Sequence, residues 1–273
     1  MAKKGKHTTS EGNRGYHDRV AGKYDHIYDS SYWRFYRDLS WRHLQKFLPS
    51  LRPATVADLG CGTGWFGVRL LKAGCNVVFL DPSLGMLEQS RAAAEPESAR
   101  GLATRFVQAG LEDMHELADG ELDFATAQGD PLSFCAEPKV AIAELHRVLK
   151  PGACAVLSVD HRIAGVRSLL GEPEPEEALE LLRTGRTKWR SRRDEEHFGM
   201  KMFMREELHD LLVKGGFEPR SWIGKTCLVQ RHNEGWIEDR EQRLRLLEAE
   251  ERVHGVPEWI GTASHLQVAA VRL

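Results

Sequence analysis

Gly60, Gly62 and Gly64 come directly after a short apolar segment, residues 55–59, which contains Asp58. The segment is typical of a buried strand, and a helix is predicted directly after the third glycine. Glycine has no Cβ, so this turn can adopt positive φ and approach a ligand closely. The free N–H groups and partial positive charge of the helix start favour a nucleotide-type ligand. A tight turn without a ligand is the alternative.

A second acid follows the next predicted strand, residues 76–80. Asp81 comes 21 residues after Gly60, close to the offset of about 20 residues expected for a carboxylate that binds ribose hydroxyls. Pro82 and a predicted helix come next, so helix capping is the alternative role. The spacing favours ribose binding.

Three segments resemble one family. The D-x-G-x-G-x-G spacing of residues 58–64 resembles motif I of the class I S-adenosylmethionine-dependent methyltransferases, small-molecule type. Residues 144–152, E-L-H-R-V-L-K-P-G, are similar to the family segment E-x-x-R-V-L-K-P-G-G, and residues 20–25 to its iA-x-x-YD opening. The resemblance covers residues 18–160 well and 200–273 loosely. It implies S-adenosylmethionine as cofactor and a Rossmann-like α/β fold, a doubly wound seven-stranded sheet of order 3-2-1-4-5-7-6.

The resemblance also implies cofactor contacts. Met86 is expected near the adenine ring, and Gln128 near the methionine part of the cofactor. Many family members have an aspartate where Gly110 stands, so either the backbone at Leu111-Glu112 or the Glu112 side chain is expected at the adenine. The predicted cofactor-binding residues are Tyr24, Trp33, Asp58, Gly60, Gly62, Gly64, Asp81, Pro82, Met86, Leu111, Glu112 and Gln128.

Two residues are candidates for the acceptor side, where the family brings the methyl group to its acceptor. Asp130 follows the predicted fourth strand, residues 122–127, and either orients the acceptor or caps a turn. His161 follows the predicted fifth strand, residues 153–159, and is the candidate general base. A near-neutral pKa suits an O–H or N–H acceptor. A surface or capping role for this histidine is the alternative.

Composition excludes several classes of protein. The chain has 273 residues, 41% hydrophobic and 29% charged, and a formal net charge of −2, which gives no global attraction for nucleic acid or an anionic membrane. Its five cysteines never form C-x-x-C, so neither a disulfide framework nor a metal site is expected. The same cysteine usage predicts a cytoplasmic location. Apolar runs are too short for a membrane span.

Outside the sheet, the predicted organisation is a tail, an arm and two insertions within one domain, residues 16–273. Residues 1–15 are polar and predicted to be a disordered tail. Residues 16–48 are rich in aromatic residues and predicted to form helices that close over the cofactor, with Tyr24 and Trp33 as lid residues; packing on the sheet is the alternative. The insertions are residues 161–203, the predicted acceptor cap, and residues 234–254, predicted helical.

A basic run at residues 190–193 either holds an anionic acceptor or forms a solvated face. The leading functional hypothesis is methyl transfer to a small molecule, on an undetermined O, N or S atom. The alternatives are an RNA or protein methyltransferase and a regulator that binds S-adenosylmethionine without turnover. No oligomeric state is predicted.

Overall fold

The computed structural model describes residues 9–99, 101–172, 175–190 and 197–273. Its strands are β1 (Thr55–Leu59), β2 (Asn76–Leu80), β3 (Thr104–Val107), β4 (Leu122–Ala127), β5 (Leu149–Asp160), β6 (Arg186–Arg190), β7 (His197–Lys201), β8 (Phe217–Lys225) and β9 (His265–Arg272). Its helices are α1 (Thr9–Val20), α2 (Tyr24–Ile27), α3 (Ser31–Leu44), α4 (Trp65–Lys72), α5 (Leu84–Ser98), α6 (Pro138–Val148), α7 (Arg162–Leu169), α8 (Glu176–Thr184), α9 (Arg205–Lys214), α10 (Arg240–Val253) and α11 (Pro257–Ile260). None of these helices is long and apolar enough to cross a membrane.

Seven strands form one sheet of order β3-β2-β1-β4-β5-β9-β8. The first five of these strands are parallel to one another, whereas β9 runs antiparallel to both of its neighbours, β5 and β8. Numbered within this sheet alone, the order is 3-2-1-4-5-7-6, which confirms the predicted fold class. The carboxyl ends of β4, β5 and β8 and the first residue of β9 therefore meet at one edge.

Helices cover both faces of the sheet. Four consecutive residues of β1 and four of β2 are buried, as expected of parallel strands enclosed on both sides. Alternate side chains divide between two cores: Leu59 packs in the cluster that includes residues of α6 and α9, and Val56 in the cluster that includes residues of α4 and α5. This enclosure leaves the strand ends as the open part of the sheet.

The N-terminal region differs from the predicted disordered tail. Residues 9–15 belong to α1, while residues 1–8 lie outside the described residues. Tertiary packing holds this helix: Tyr16 is 4% exposed, and its ring lies 4.5 Å from that of Trp189 and 6.0 Å from that of Phe198. The polar residues before Tyr16 give no sign of this packing in the sequence.

The predicted aromatic arm divides into two parts. Up to α2, the arm lies over the open end of the sheet and shares a cluster with Phe198 of β7. In contrast, α3 is an element of the core, since Phe35 and Leu39 are fully buried and pack with Val229 and Leu247. The length and aromatic content of residues 16–48 did not distinguish the part over the cavity from the part in the core.

Both predicted insertions contain regular structure. Residues 161–203 hold α7, α8 and the antiparallel β6–β7 hairpin. Of the basic run, Arg190 ends β6 and pairs with Glu177 at 2.7 Å, while residues 191–193 lie outside the described residues. Residues 234–254 form α10 and part of a 3-10 helix, Arg231–Ile237. The buried Glu250 of α10 accepts backbone N–H groups from Cys227, Leu228 and Val229, so α10 fixes the segment that follows β8.

Candidate functional site

The glycine turn leaves an open space above the start of α4. Gly60, Gly62 and Gly64 all have positive φ, at 70°, 52° and 89°. A Cβ on Gly62 would meet no atom within 4 Å, whereas a Cβ on Gly60 would lie 2.7 Å from Pro131 and one on Gly64 2.9 Å from Ser90. Gly62 is thus the position where the backbone faces empty space, and the other two glycines permit close packing behind it.

Asp81 supports this turn. Its Oδ2 accepts the N–H of Gly62 at 2.9 Å, and its Oδ1 accepts the N–H of Ser83 at 2.9 Å. Burial raises the pKa of Asp81, and the two N–H groups act in the opposite direction. The carboxylate therefore shapes the turn and also lines the cavity in front of it.

A cavity of about 1310 Å³ begins at this turn and continues to the carboxyl ends of β4 and β5. It brings together most of the residues predicted from the sequence. Those that line it are Tyr24, Trp33, Gly60, Gly62, Asp81, Pro82, Leu111, Glu112, Gln128 and Asp130.

Three predicted cofactor residues lie outside the lining. Asp58 is 1% exposed and accepts the N–H of Gly67 at 2.7 Å, so it caps the first turn of α4. Gly64 forms the N-cap of the same helix. Met86 is fully buried in the cluster beneath α1 and contributes to packing there. These three residues pack behind the residues that line the cavity and support its wall from there.

The side of the cavity predicted for the adenine is formed by loop residues. Leu111 lines it, and a Cβ on Gly110 would meet nothing within 4 Å. The Glu112 carboxylate also lies here, but it accepts the backbone N–H groups of Ala136 at 3.2 Å and Glu137 at 2.7 Å. It therefore holds the start of α6, and part of its hydrogen-bonding capacity is used.

Gln128 carries an orphaned polar atom. Its Nε2 donates to the carbonyl oxygen of Val156 at 3.2 Å. Its Oε1 is buried and has no hydrogen-bond partner in the part of the chain that the structure describes. An unsatisfied buried acceptor costs about 1–3 kcal/mol, so a ligand donor at this position would remove a real penalty.

The arm contacts the turn and the loop after β2 directly. Asp25 accepts a hydrogen bond from the Thr63 hydroxyl at 2.6 Å, and Asp18 accepts one from the Ser83 hydroxyl at 2.7 Å. From Tyr24, successive ring contacts at 4.6, 5.1 and 5.3 Å pass through Tyr28 and Trp33 to Tyr36. The arm thus forms an aromatic wall that reaches across the cavity.

At the far end of this wall lies a buried polar cluster, here called the strand-end cluster: Tyr36, Asp130, Asp160, Lys225 and His265. The pairing register places Asp160, His265 and Lys225 side by side on β5, β9 and β8. His265 Nδ1 lies 2.8 Å from Asp130 Oδ2 and 3.6 Å from Asp160 Oδ1. Tyr36 donates to Asp130 Oδ2 at 3.1 Å, and Lys225 donates to the Tyr36 hydroxyl.

Charges in the strand-end cluster compensate one another. Burial opposes ionisation of Asp130, but His265 and Lys225 outweigh it and hold the pKa of Asp130 well below its ordinary value. Burial, followed by the charge of Asp130, raises the pKa of Asp160 to about 7. Burial lowers the pKa of Lys225 to about 8. The cluster thus holds one firmly ionised carboxylate, that of Asp130, beside the Lys225 ammonium group and the His265 ring.

His161, the predicted base, is separated from the cavity. It is 2% exposed and its Nδ1 lies 2.9 Å from the carbonyl oxygen of Ala263. Strand β5 extends to Asp160, and because side chains alternate along a strand, it is Asp160 that lines the cavity while the next residue turns away.

Sequence reasoning missed Lys225 and His265. A signal for both was present in the predicted order 3-2-1-4-5-7-6. An antiparallel last strand begins where the parallel strands end, so its first polar residue meets the acceptor side. The sequence predicts the sixth strand over residues 217–229 and the seventh over residues 266–271, so it places the end of one strand beyond Lys225 and the start of the other just after His265.

Asp130, Asp160 and His265 also offer ligand atoms within 4.8 Å of one another, a spacing that a metal ion could use. The ammonium group of Lys225 lies 3.9 Å from Asp130 Oδ1. It supplies a positive charge beside these carboxylates.

Several known proteins are similar in sequence to part of this chain. A family model described as a methyltransferase domain matches residues 56–152. A malonyl-[acyl-carrier protein] O-methyltransferase from Pseudescherichia vulneris is 34% identical over 107 residues, which are 39% of this chain and 39% of the relative. The tRNA 5-carboxymethoxyuridine methyltransferase of Escherichia coli (strain K12) is 25% identical over 140 residues, 50% of this chain and 52% of the relative. The chain thus spans only part of the length of these relatives.

A solved structure matches the chain more completely. Magnesium protoporphyrin IX methyltransferase from Synechocystis, with bound S-adenosylhomocysteine (SAH), superposes with a TM-score of 0.61 at 15% identity, covering 97% of this chain and 100% of that one. At this identity the likeness shows a shared fold. Motif, domain match and fold agree: residues 56–152 are similar to a methyltransferase domain, and the chain as a whole shares the fold of a solved methyltransferase.

Proposed function

We propose that this protein transfers the methyl group of S-adenosylmethionine to a small molecule held between the glycine turn and the strand-end cluster. The observation that carries the proposal is the single cavity of about 1310 Å³ that joins the two. It exceeds the range of about 300–1,000 Å³ typical of sites for one small ligand. There is room for cofactor and acceptor side by side.

The residues on the glycine side fit the cofactor. Gly62 faces open space, Asp81 has carboxylate lone pairs for the ribose hydroxyls, and the orphaned Gln128 Oε1 suits the ammonium group of the methionine part. Leu111 is available to the adenine, and Tyr24 and Trp33 cover the site from the arm. When bound, S-adenosylmethionine supplies a methyl group on a positively charged sulfur that is ready to leave.

The work left to the protein is mainly positioning. Holding two reactants in the correct orientation can supply about 7–11 kcal/mol of the barrier. Aromatic side chains from the arm and the hairpin, among them Trp33 and Trp189, wall the cavity and limit the access of water. Such a wall favours an acceptor small enough to be enclosed.

A macromolecular acceptor is the second candidate, because one relative acts on tRNA. The net charge of −2 supplies little attraction for RNA. A binding titration with tRNA at two salt concentrations separates the candidates, since phosphate contacts weaken steeply with salt. A protein that binds S-adenosylmethionine but produces no methylated product in any extract would instead be a regulator.

The direct test is a screen of metabolite extract with S-adenosylmethionine labelled in the methyl group, followed by mass identification of the product. Gly62→Val serves as the inactive variant, because valine tolerates positive φ poorly and its side chain would occupy the ligand space. We expect the variant to lose cofactor binding by calorimetry and to yield no labelled product.

Gly120→Val is the matched control. Gly120 also has positive φ, at 63°, and open space around its Cβ position, but it lies in the turn before β4, outside the cavity lining. The Gly120→Val substitution imposes the same kind of backbone strain without touching the site. Normal cofactor binding by Gly62→Val would place the cofactor elsewhere and end the proposal.

A further inference from the structure

His265 occupies a position that the proposed transfer leaves without a role. Its ring lines the cavity, with 9% of the residue exposed. Nδ1 faces the carboxylates of Asp130 and Asp160, at 2.8 and 3.6 Å. Among the described residues, neither ring nitrogen forms a well-aligned hydrogen bond, and Nδ1 is the one that lies within ion-pair distance of a carboxylate. A carboxylate on one ring nitrogen fixes the proton there and leaves the other nitrogen as an acceptor.

Four of the groups around His265 are unsuited to accept a proton from a substrate; the fifth, Asp160 from β5, lines the same cavity, and Asp160→Asn with full loss of the base-dependent rate would transfer the role to it. Lys225, from β8, is fully buried and outside the cavity lining. Tyr36, from α3, already donates to Asp130, and burial raises its pKa well above the ordinary value. Asp130, after β4, accepts from Tyr36. His161, at the start of α7, is turned away.

We infer that His265 Nε2 is the general base of the transfer, that Asp130 is its positioning residue, and that the acceptor presents an O–H or N–H group. The inference rests on the proposed function. A thiolate or another acceptor that is already deprotonated would need no base, so this geometry selects protic oxygen or nitrogen.

The proton balance is simple. A lone pair on the acceptor oxygen or nitrogen forms the bond to the methyl carbon, and the sulfur retains the electron pair of the bond that breaks. The acceptor proton passes to His265 Nε2, and Asp130 stabilises the imidazolium ion that results. Solvent then takes the proton, and the histidine is neutral again.

The test uses His265→Ala with the acceptor identified in the extract screen. We expect the turnover rate kcat to fall by about 10²–10⁴-fold, the usual contribution of a general base, and the acidic limb of the pH profile to disappear. Affinity for SAH, measured by calorimetry, should stay within twofold, which separates lost catalysis from lost folding. Added imidazole should restore part of the rate.

His209→Ala is the control for histidine removal, since His209 is exposed on α9 and outside the cavity lining. Asp130→Asn tests the positioning role. It should lower kcat with little change in KM, because the negative charge that stabilises the imidazolium ion is lost, and affinity for SAH should stay within twofold.

Several results would overturn the inference. A product methylated on sulfur or carbon would do so, as would full activity and an unchanged pH profile in His265→Ala; in both cases the proposed function stands. Activity lost with a chelator and restored by Mn²⁺ would make His265 a metal ligand instead of a base. If wild-type protein binds SAH but methylates nothing, the proposed function and this inference fall together.

Discussion

At the scale of single residues, Asp81 contacts both the backbone of the glycine turn and the cavity in front of it. Its oxygens hold the backbone of Gly62 and Ser83, and the same carboxylate faces the cavity. Each carboxylate oxygen has two lone pairs, so a ribose hydroxyl can be accepted without breaking either bond. The turn geometry and the proposed ribose contact therefore depend on one side chain.

Asp81→Ala should weaken binding of SAH by about 1–3 kcal/mol, the scale of hydrogen bonds to a charged group. Isothermal titration calorimetry measures the change. Asp123→Ala is the matched control, because Asp123 also accepts a backbone N–H of β1, that of Thr55 at 2.9 Å, but at the opposite end of the strand. We expect it to lower the melting temperature and leave affinity unchanged; an equal loss in both variants would argue against contact with the cofactor.

How far the sequence predicts this site varies from residue to residue. Gly60, Gly62 and Asp81 could be expected at the cavity because local spacing determines a strand-turn-helix. Asp58, Gly64 and Met86 were expected at the cofactor and lie outside the cavity lining, since spacing does not report which side of a strand, turn or helix a residue faces. His265 could not be found in this way, because its neighbours Asp130 and Lys225 are distant in sequence and meet only through strand order.

At the scale of elements, the arm and α3 differ in how they are held. The part of the arm from α1 to α2 buries few of the side chains that the structure describes there, namely Tyr16, Val20 and Ala21. It otherwise rests on polar contacts such as Asp25–Thr63 and on ring contacts over the cavity. By contrast, α3 buries Phe35 and Leu39 completely. Elements with few buried apolar contacts open first and become ordered on ligand binding.

Hydrogen exchange should therefore slow over residues 11–28 when SAH is added, while residues 31–44 stay protected in both states. Mass spectrometry of peptides from the two segments gives the comparison, and α9, which contributes nothing to the cavity lining, is the internal reference. Equal exchange of residues 11–28 with and without ligand would make the arm a fixed wall, with Tyr24 acting as a packing residue.

At the scale of the whole molecule, the strand-end cluster links stability to pH. The pKa of Asp160 is about 7 in the folded protein and about 3.9 in an unfolded chain. The folded state thus holds an extra proton between these values. The contribution of this extra proton to the free energy of unfolding is complete below about pH 4 and is lost as the pH rises through 7.

Asp160→Asn should remove this loss. Relative to wild type, the variant should gain about 2–3 kcal/mol between pH 5 and pH 8, seen as a rising difference in melting temperature of the unliganded proteins. Asp123→Asn gives the contrast: salt bridging to Lys150 helps to keep the pKa of Asp123 below its ordinary value, so its difference from wild type should be flat over this range. A flat difference for Asp160→Asn would mean that Asp160 is ionised throughout.

The place of β9 in the sheet has a consequence for biosynthesis. This strand lies between β5 and β8 but follows both in the sequence. Until it emerges from the ribosome, β5 and β8 present unpaired edges to the gap between them, and such edges invite pairing with other chains. The same strand brings His265 to the cavity, so a nascent chain that ends before residue 265 would expose strand edges and lack the proposed base. Completion of the sheet and arrival of the proposed base are a single event.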